Sequence, residues 1–119
     1  MNLPFPYVTM PMLYCSHYGN VAHRAMILIG KRVLTDFARQ HASARHAIAA
    51  WVAEVEAASW QSFVDVKARY RSVSLIKDDR LVFNLKGNHY RLDAQISYSN
   101  QVLLVHRMGT HAEYESWIF

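Results

Sequence analysis

Residues 89–98 alternate without a break. Tyr90, Leu92, Ala94, Ile96 and Tyr98 fall on one side, and His89, Arg91, Asp93, Gln95 and Ser97 on the other. A period of two this regular marks a strand that buries one face and turns the other outward. Just before it comes Leu81-Val82-Phe83-Asn84-Leu85-Lys86, and between the two lies Gly87-Asn88. Glycine tolerates positive φ, so Gly87-Asn88 reads as a two-residue hairpin turn. The register then follows: Lys86 opposite His89, Asn84 opposite Arg91 and Val82 opposite Asp93 on the outer face. Leu85/Tyr90, Phe83/Leu92 and Leu81/Ala94 fall on the core face. A slip of one residue would send every apolar side chain to the wrong face, so turn and alternation specify the same pairing.

The rest of the chain arranges itself around this hairpin. Ser99-Asn100 reads as a second turn, Gln101–Met108 as a returning strand, and Thr110-x-x-Glu113 as a capping box that starts a short helical turn through Tyr114 and Trp117. Upstream, Met26-Ile27-Leu28-Ile29 reads as a short strand ended by Gly30. In residues 31–40, Val33, Leu34, Phe37 and Ala38 share one helical face. Ser43 is placed to cap a second helix, whose stripe of Ala47, Ile48, Trp51, Val52 and Val55 runs to about Ala58. Ser62 and Asp65 give the start signal of a third, short helix through Lys67, Arg69 and Tyr70. The order is strand, three helices, three strands and a last helical turn. That is an α+β fold with a small antiparallel-rich sheet, helices on one face and the other face partly open.

A chain of 119 residues, 52% of them apolar, is long enough for one such domain. Its single cysteine, Cys15, excludes a disulfide framework and the Cys-rich zinc modules. No apolar run reaches the ~18 residues a membrane span needs, and no basic-then-apolar leader opens the chain. A cytoplasmic location is therefore expected. Residues 1–25 stand apart: they hold all three prolines, Cys15, three of the five methionines and one charge, Arg24. With no hydrophobic period there, they are expected to be an irregular extension or an upstream-translated segment, with the functional domain spanning 26–119.

The outer face of the hairpin gathers Lys86, His89, Asn84 and Arg91, with cross-strand Cβ atoms about 5 Å apart. Cations brought together on so small a patch suit an anion; a solvated sheet face would look the same. The piece His106-Arg107-Met108-Gly109-Thr110-His111-Ala112-Glu113-Tyr114 adds a second cluster. Gly109 would permit a tight turn, and His111 and Tyr114 then share one side of the helical turn. Histidine serves as acid or base near neutral pH, and tyrosine can donate a proton or orient a phosphate; as structural residues they would simply cap and pack. Asp93 would face His106 if the Ser99-Asn100 loop has two residues. Zinc ligand spacing, a phosphate-cradling glycine loop and a nucleophile elbow are all absent from the sequence. Between Lys67 and Arg91 stand seven Lys or Arg (67, 69, 71, 77, 80, 86 and 91) against only Asp78 and Asp79. Such a basic stretch suits a phosphate backbone.

Three strings carry a resemblance: Asp65-Val66-Lys67-Ala68-Arg69-Tyr70, Arg80-Leu81-Val82-Phe83-Asn84-Leu85-Lys86-Gly87-Asn88-His89-Tyr90-Arg91-Leu92, and Gly109-Thr110-His111-Ala112-Glu113-Tyr114. Together they resemble the HigB-type toxins of the RelE-like superfamily of type II toxin–antitoxin systems. The start at Met26-Ile27-Leu28-Ile29-Gly30-Lys31-Arg32-Val33-Leu34, and Trp51 and Trp60, fit as well. The resemblance covers about residues 26–117. It implies a RelE-like fold and an mRNA interferase that cuts messenger RNA, often on the ribosome, by attack of a ribose 2′-OH on the adjacent phosphate. No metal or cofactor is implied. The implied partners are mRNA, the ribosome and a helix-turn-helix antitoxin of the HigA type. By motif match, Lys86 and Arg91 would stabilise phosphate charge, and His111 and Tyr114 would orient the phosphate or transfer a proton. Lys67, Asn84, His89 and Arg107 would contact RNA. The sequence departs from the family pattern at Asp93, where an apolar residue is usual, and at Gln95 and His106, where basic residues are usual. A carboxylate there is expected to oppose RNA. Two other readings are a non-nucleolytic toxin of the gyrase-inhibiting kind, which would not need the cationic cluster, and an inactivated RNA-binding domain.

Overall fold

A computed structural model describes residues 25–119. The expected irregular extension at residues 1–25 lies, but for Ala25, outside the described residues. Strand β1 (Ile27–Ile29) leads into helix α1 (Lys31–Gln40) and a 3-10 turn (Ala42–Ala44), followed by α2 (Arg45–Ala57) and α3 (Phe63–Arg69). Strands β2 (Ser74–Lys77), β3 (Arg80–Leu85), β4 (Tyr90–Ser97) and β5 (Val102–Thr110) follow, and α4 (His111–Tyr114) closes the order. The five strands form one mixed sheet in the order β1-β5-β4-β3-β2, antiparallel except where β1 joins β5.

The alternation in β4 decides how the layers meet. Leu92, Ala94 and Ile96 are buried on one face with Leu81, Phe83 and Leu85 of β3 and Leu103 and Val105 of β5. Against them α1 contributes Leu34, α2 contributes Ile48, Trp51 and Val55, and α3 contributes Val66. Phe83 is the hub, edge-on to Trp51 at 5.3 Å and to Tyr70 at 5.4 Å between ring centroids. Apolar contact and favourable ring geometry reinforce each other there. Gly30 makes the passage from β1 into α1 possible: its φ is +94°, and an added Cβ would stand 2.7 Å from the Val105 carbonyl oxygen. No other residue meets both conditions without strain. Among the described residues no helix is long and apolar enough to cross a membrane.

The hairpin register holds from Leu81/Ala94 to Leu85/Tyr90, including Asn84 opposite Arg91 and Val82 opposite Asp93. The loop differs. The ladder ends at Leu85/Tyr90, and residues 86–89 form a four-residue turn in which Lys86 and Gly87 both take positive φ, 52° and 64°. Lys86 and His89 are therefore turn residues, joined by a 3.2 Å bond from the His89 N–H to the Lys86 carbonyl. Four further departures have physical reasons. Strand β2, not expected, adds an edge to β3 through a ladder interrupted between Leu75 and Lys77. Ser43 caps nothing, because α2 opens from the 3-10 turn and the Ser43 hydroxyl instead pairs with the Tyr90 hydroxyl. Ser62 makes no side-chain cap; Asp65 takes the Gln61 N–H at 2.8 Å in its place. Gly109 makes no turn but lies within β5, opposite Arg91.

Candidate active site

The face of the sheet away from α1–α3 is less open than its sequence pattern implies. Arg91 is only 7% exposed and Asp93 is completely buried. The cover is α4 and the residues after it. Thr110 and Glu113 form the expected capping box, with Glu113 N–H donating to Thr110 Oγ1 at 3.1 Å and Thr110 N–H to Glu113 Oε1 at 2.8 Å. That box folds the chain back over β5, and the Trp117 ring settles on Gly109. A Cβ at Gly109 would come within 2.8 Å of Trp117 Cζ2 and 3.0 Å of Glu113 Oε1.

Arg91 is the centre of the arrangement. Its Nη1 donates to the Asn88 carbonyl at 2.8 Å, which ties the guanidinium to the hairpin loop. Its Nη2 reaches His111 Nδ1 at 2.8 Å, and its guanidinium carbon lies 5.3 Å above the Tyr114 ring. The His111 backbone N–H donates to the His89 carbonyl at 3.0 Å, so loop and α4 are also joined directly. A cation, an imidazole and a phenol from segments twenty residues apart in the chain thus meet at one point. Asn84 stands across the ladder from Arg91 and donates to Asn88 Oδ1 at 3.4 Å. Lys86 and His89 are exposed in the adjoining loop, with His89 Nδ1 2.8 Å from the Lys86 carbonyl.

Lys67 and Arg107 are not brought to this cluster. Lys67 belongs to α3, on the helical side, where its Nζ donates to the Val73 carbonyl at 3.1 Å. Arg107 is engaged with Asp93, its Nε donating to Oδ2 at 2.8 Å, and its Nη2 donates to the Ile118 carbonyl at 3.1 Å. Trp117 and Phe119 cover it, with ring centroids 4.5 and 5.0 Å from its guanidinium carbon. Arg80 grips the same carboxylate with two bonds of 2.9 and 3.0 Å. Two guanidiniums on one carboxylate leave the group net positive, so Asp93 does not present a bare negative charge to an incoming phosphate.

The expected facing of Asp93 and His106 is not formed. The β4–β5 register runs as expected from Ser97/Val102 to Ala94/Val105 and then shifts by one, which puts Asp93 opposite Arg107. His106 is the extra residue. A bulge of this kind leaves two residues on one strand opposite one on the other. His106 Nε2 instead lies 2.9 Å from Gln95 Oε1, and the Gln95 amide donates to Asp79 Oδ2 at 2.9 Å. Three residues given no site role from the sequence help build the site: Asn88 through its carbonyl, Arg80 through Asp93, and Glu115, whose Oε2 lies 3.5 Å from His111 Nε2. The four-residue spacing of His111 and Glu115 after a capping box was the available signal for the last. Among the described residues no group of three His, Cys, Asp or Glu converges to hold a metal ion.

With this geometry in place, the chain can be compared with known families. The model of the HigB toxin family, described as the RelE-like toxic component of a toxin–antitoxin system, matches residues 44–117. That span contains α2, all the strands but β1, and every residue of the Arg91–His111 cluster. No curated protein matches the chain.

Proposed function

The chain belongs to the HigB toxin family, RelE-like toxic components of toxin–antitoxin systems, and from that premise we propose that it is an mRNA interferase. In this reading residues 26–119 form the toxin domain, with the RelE-like fold, and residues 1–25 lie outside it. The toxin acts in the cytoplasm on mRNA held by the ribosome and is silenced by a helix-turn-helix antitoxin of the HigA type.

One observation carries the reading: Arg91, buried and fixed by Asn88, shares its guanidinium with His111 directly above Tyr114. A guanidinium tied to the loop at Asn88 is suited to the charge that develops on a phosphate. A neutral imidazole beside it can accept the proton of a ribose 2′-OH. The 2′-oxygen then bonds to phosphorus, the bond to the 5′-oxygen breaks, and a 2′,3′-cyclic phosphate and a 5′-hydroxyl result. Lys86 adds positive charge at the mouth of the site, and Asn84 and His89 line the approach. Arg107 and Lys67 contribute to the basic surface that draws RNA in. Incubating the purified chain with mRNA, with and without ribosomes, tests the proposal. It predicts cleavage in at least one arm, and intact RNA in both would refute it.

A further inference from the structure

We infer that Glu115 is a positioning residue for His111, holding the ring in the tautomer whose Nδ1 is the base. This rests on the reading of the site as one that cleaves RNA. The argument starts from donors and acceptors. A guanidinium has only donors, so His111 Nδ1, 2.8 Å from Arg91 Nη2, must accept. A neutral imidazole carries a single N–H, which then stands on Nε2, and Nε2 faces Glu115 Oε2 at 3.5 Å. Each ring nitrogen therefore has a partner of the opposite kind. Glu115 is held for this task by the helical conformation it continues past α4, with φ −65° and ψ −18°. The neighbouring acid, Glu113, is not available to the ring, because its carboxylate is bound by the Thr110 N–H.

The same geometry makes Arg91 and the base mutually exclusive until substrate arrives. While Arg91 donates to Nδ1, the lone pair that must take a proton is occupied. A phosphate that draws the guanidinium to itself frees the lone pair beside the 2′-OH. Nδ1 then takes the 2′-OH proton as the 2′-oxygen bonds to phosphorus. The 5′-oxygen leaves with the bonding electron pair and is protonated by water. His111 is now an imidazolium whose Nδ1 no longer faces Arg91, and Glu115 is the anion left to stabilise it. The charged and titratable groups that contact His111 are Arg91 of β4 and Glu115 after α4; Tyr114 of α4 lies beneath the Arg91 guanidinium, and His89 of the loop offers its carbonyl to the His111 N–H.

The experiment compares the wild-type chain with Glu115→Gln and Glu115→Asp. The tautomer of the His111 ring is read from its 15N chemical shifts, and the rate of RNA cleavage is measured alongside. The ring-nitrogen shifts report Glu115 even without RNA. In the wild type they should show the proton on Nε2; Glu115→Gln should raise the share of the Nδ1–H form, the cleavage rate should fall about twofold to threefold, and Glu115→Asp should restore part of both. Unchanged ring-nitrogen shifts in folded Glu115→Gln overturn the assignment of Glu115 whatever happens to RNA. Changed shifts in a chain whose wild type leaves RNA intact overturn the reading of the site, and with it the base role of His111, while the pairing stands.

Discussion

Arg107 meets Asp93 at 2.8 Å only because His106 is squeezed out of the β4–β5 ladder. Without the bulge Asp93 would face His106 and Arg107 would point to the core side of β5. The bulge thus adds Arg107 of β5 to the grip of Arg80 of β3, so the buried carboxylate is held from both neighbouring strands. Breaking a buried pair leaves uncompensated charge, at a typical cost of about 3–5 kcal/mol. Asp93→Ala should fall at the low end, about 3 kcal/mol, because both arginines reach solvent. Urea denaturation at neutral pH would measure it, and a change below the error of the fit would contradict the account.

The C-terminal cover makes a separate prediction. In Gly109→Ala the new methyl would need the space of Trp117 Cζ2 and Glu113 Oε1. Overpacking of this kind costs about 1–3 kcal/mol. The loss should come with a change in Trp117 fluorescence as the ring leaves Arg107, and an unchanged Trp117 environment would count against the packing described.

Arg91→Ala should leave the core intact, since the side chain lies on the face away from α1–α3. Cleavage should slow by about 10²–10³-fold, as when a preorganised donor is removed from a charged transition state. Arg91→Lys should restore little, because an ammonium lacks the planar fork that holds Asn88 and grips a phosphate together. Wild-type rates in a folded Arg91→Ala protein would remove Arg91 from the site.

On the helical side, Arg69 Nε donates to Glu54 Oε1 at 2.9 Å and joins α3 to α2. That hydrogen bond holds the Glu54 carboxyl below its ordinary value, against a smaller opposing effect of burial. A carboxyl depressed in the folded state adds stability above its unfolded value and loses it as pH falls through the folded one. Glu54→Gln should therefore cost at most about 0.5 kcal/mol at neutral pH, for so exposed a pair, and nothing once Glu54 is protonated. Thermal unfolding at pH 7 and pH 3 distinguishes the two, and equal losses at both would contradict it.

The hairpin was legible because its two strands alternate and because each apolar residue had only one face to occupy. The same pattern carried the core positions Phe83, Leu92 and Ile96, and it placed Arg91 and Asn84 together. Strand β2 was not legible: Ser74, Leu75 and Lys77 are all exposed at an edge, so no buried face imposes a pattern. Nor was the pairing of β1 with β5, which is parallel and joins strands more than seventy residues apart in the chain. The bulge leaves no mark in sequence, because one inserted residue inside a strand looks like any other. That is why Asp93, Gln95 and His106 read as departures from a basic site, and why the engagement of Arg107 by the chain's own Asp93 and Ile118 went unseen. His111 and Tyr114 were readable as chemistry-bearing residues; their meeting with Arg91 needed the fold.

The most direct test of the central claim is the chemistry of the RNA ends. RNA incubated with the purified chain in EDTA, free or on ribosomes whose integrity is checked separately, should be cut to fragments with 2′,3′-cyclic phosphate and 5′-hydroxyl termini. Replacement of the 2′-OH by 2′-O-methyl at the cut site should abolish the reaction. Fragments carrying 5′-phosphates, or activity recovered only when a divalent metal binds the protein, would contradict attack by the ribose 2′-OH and the roles given to Arg91 and His111.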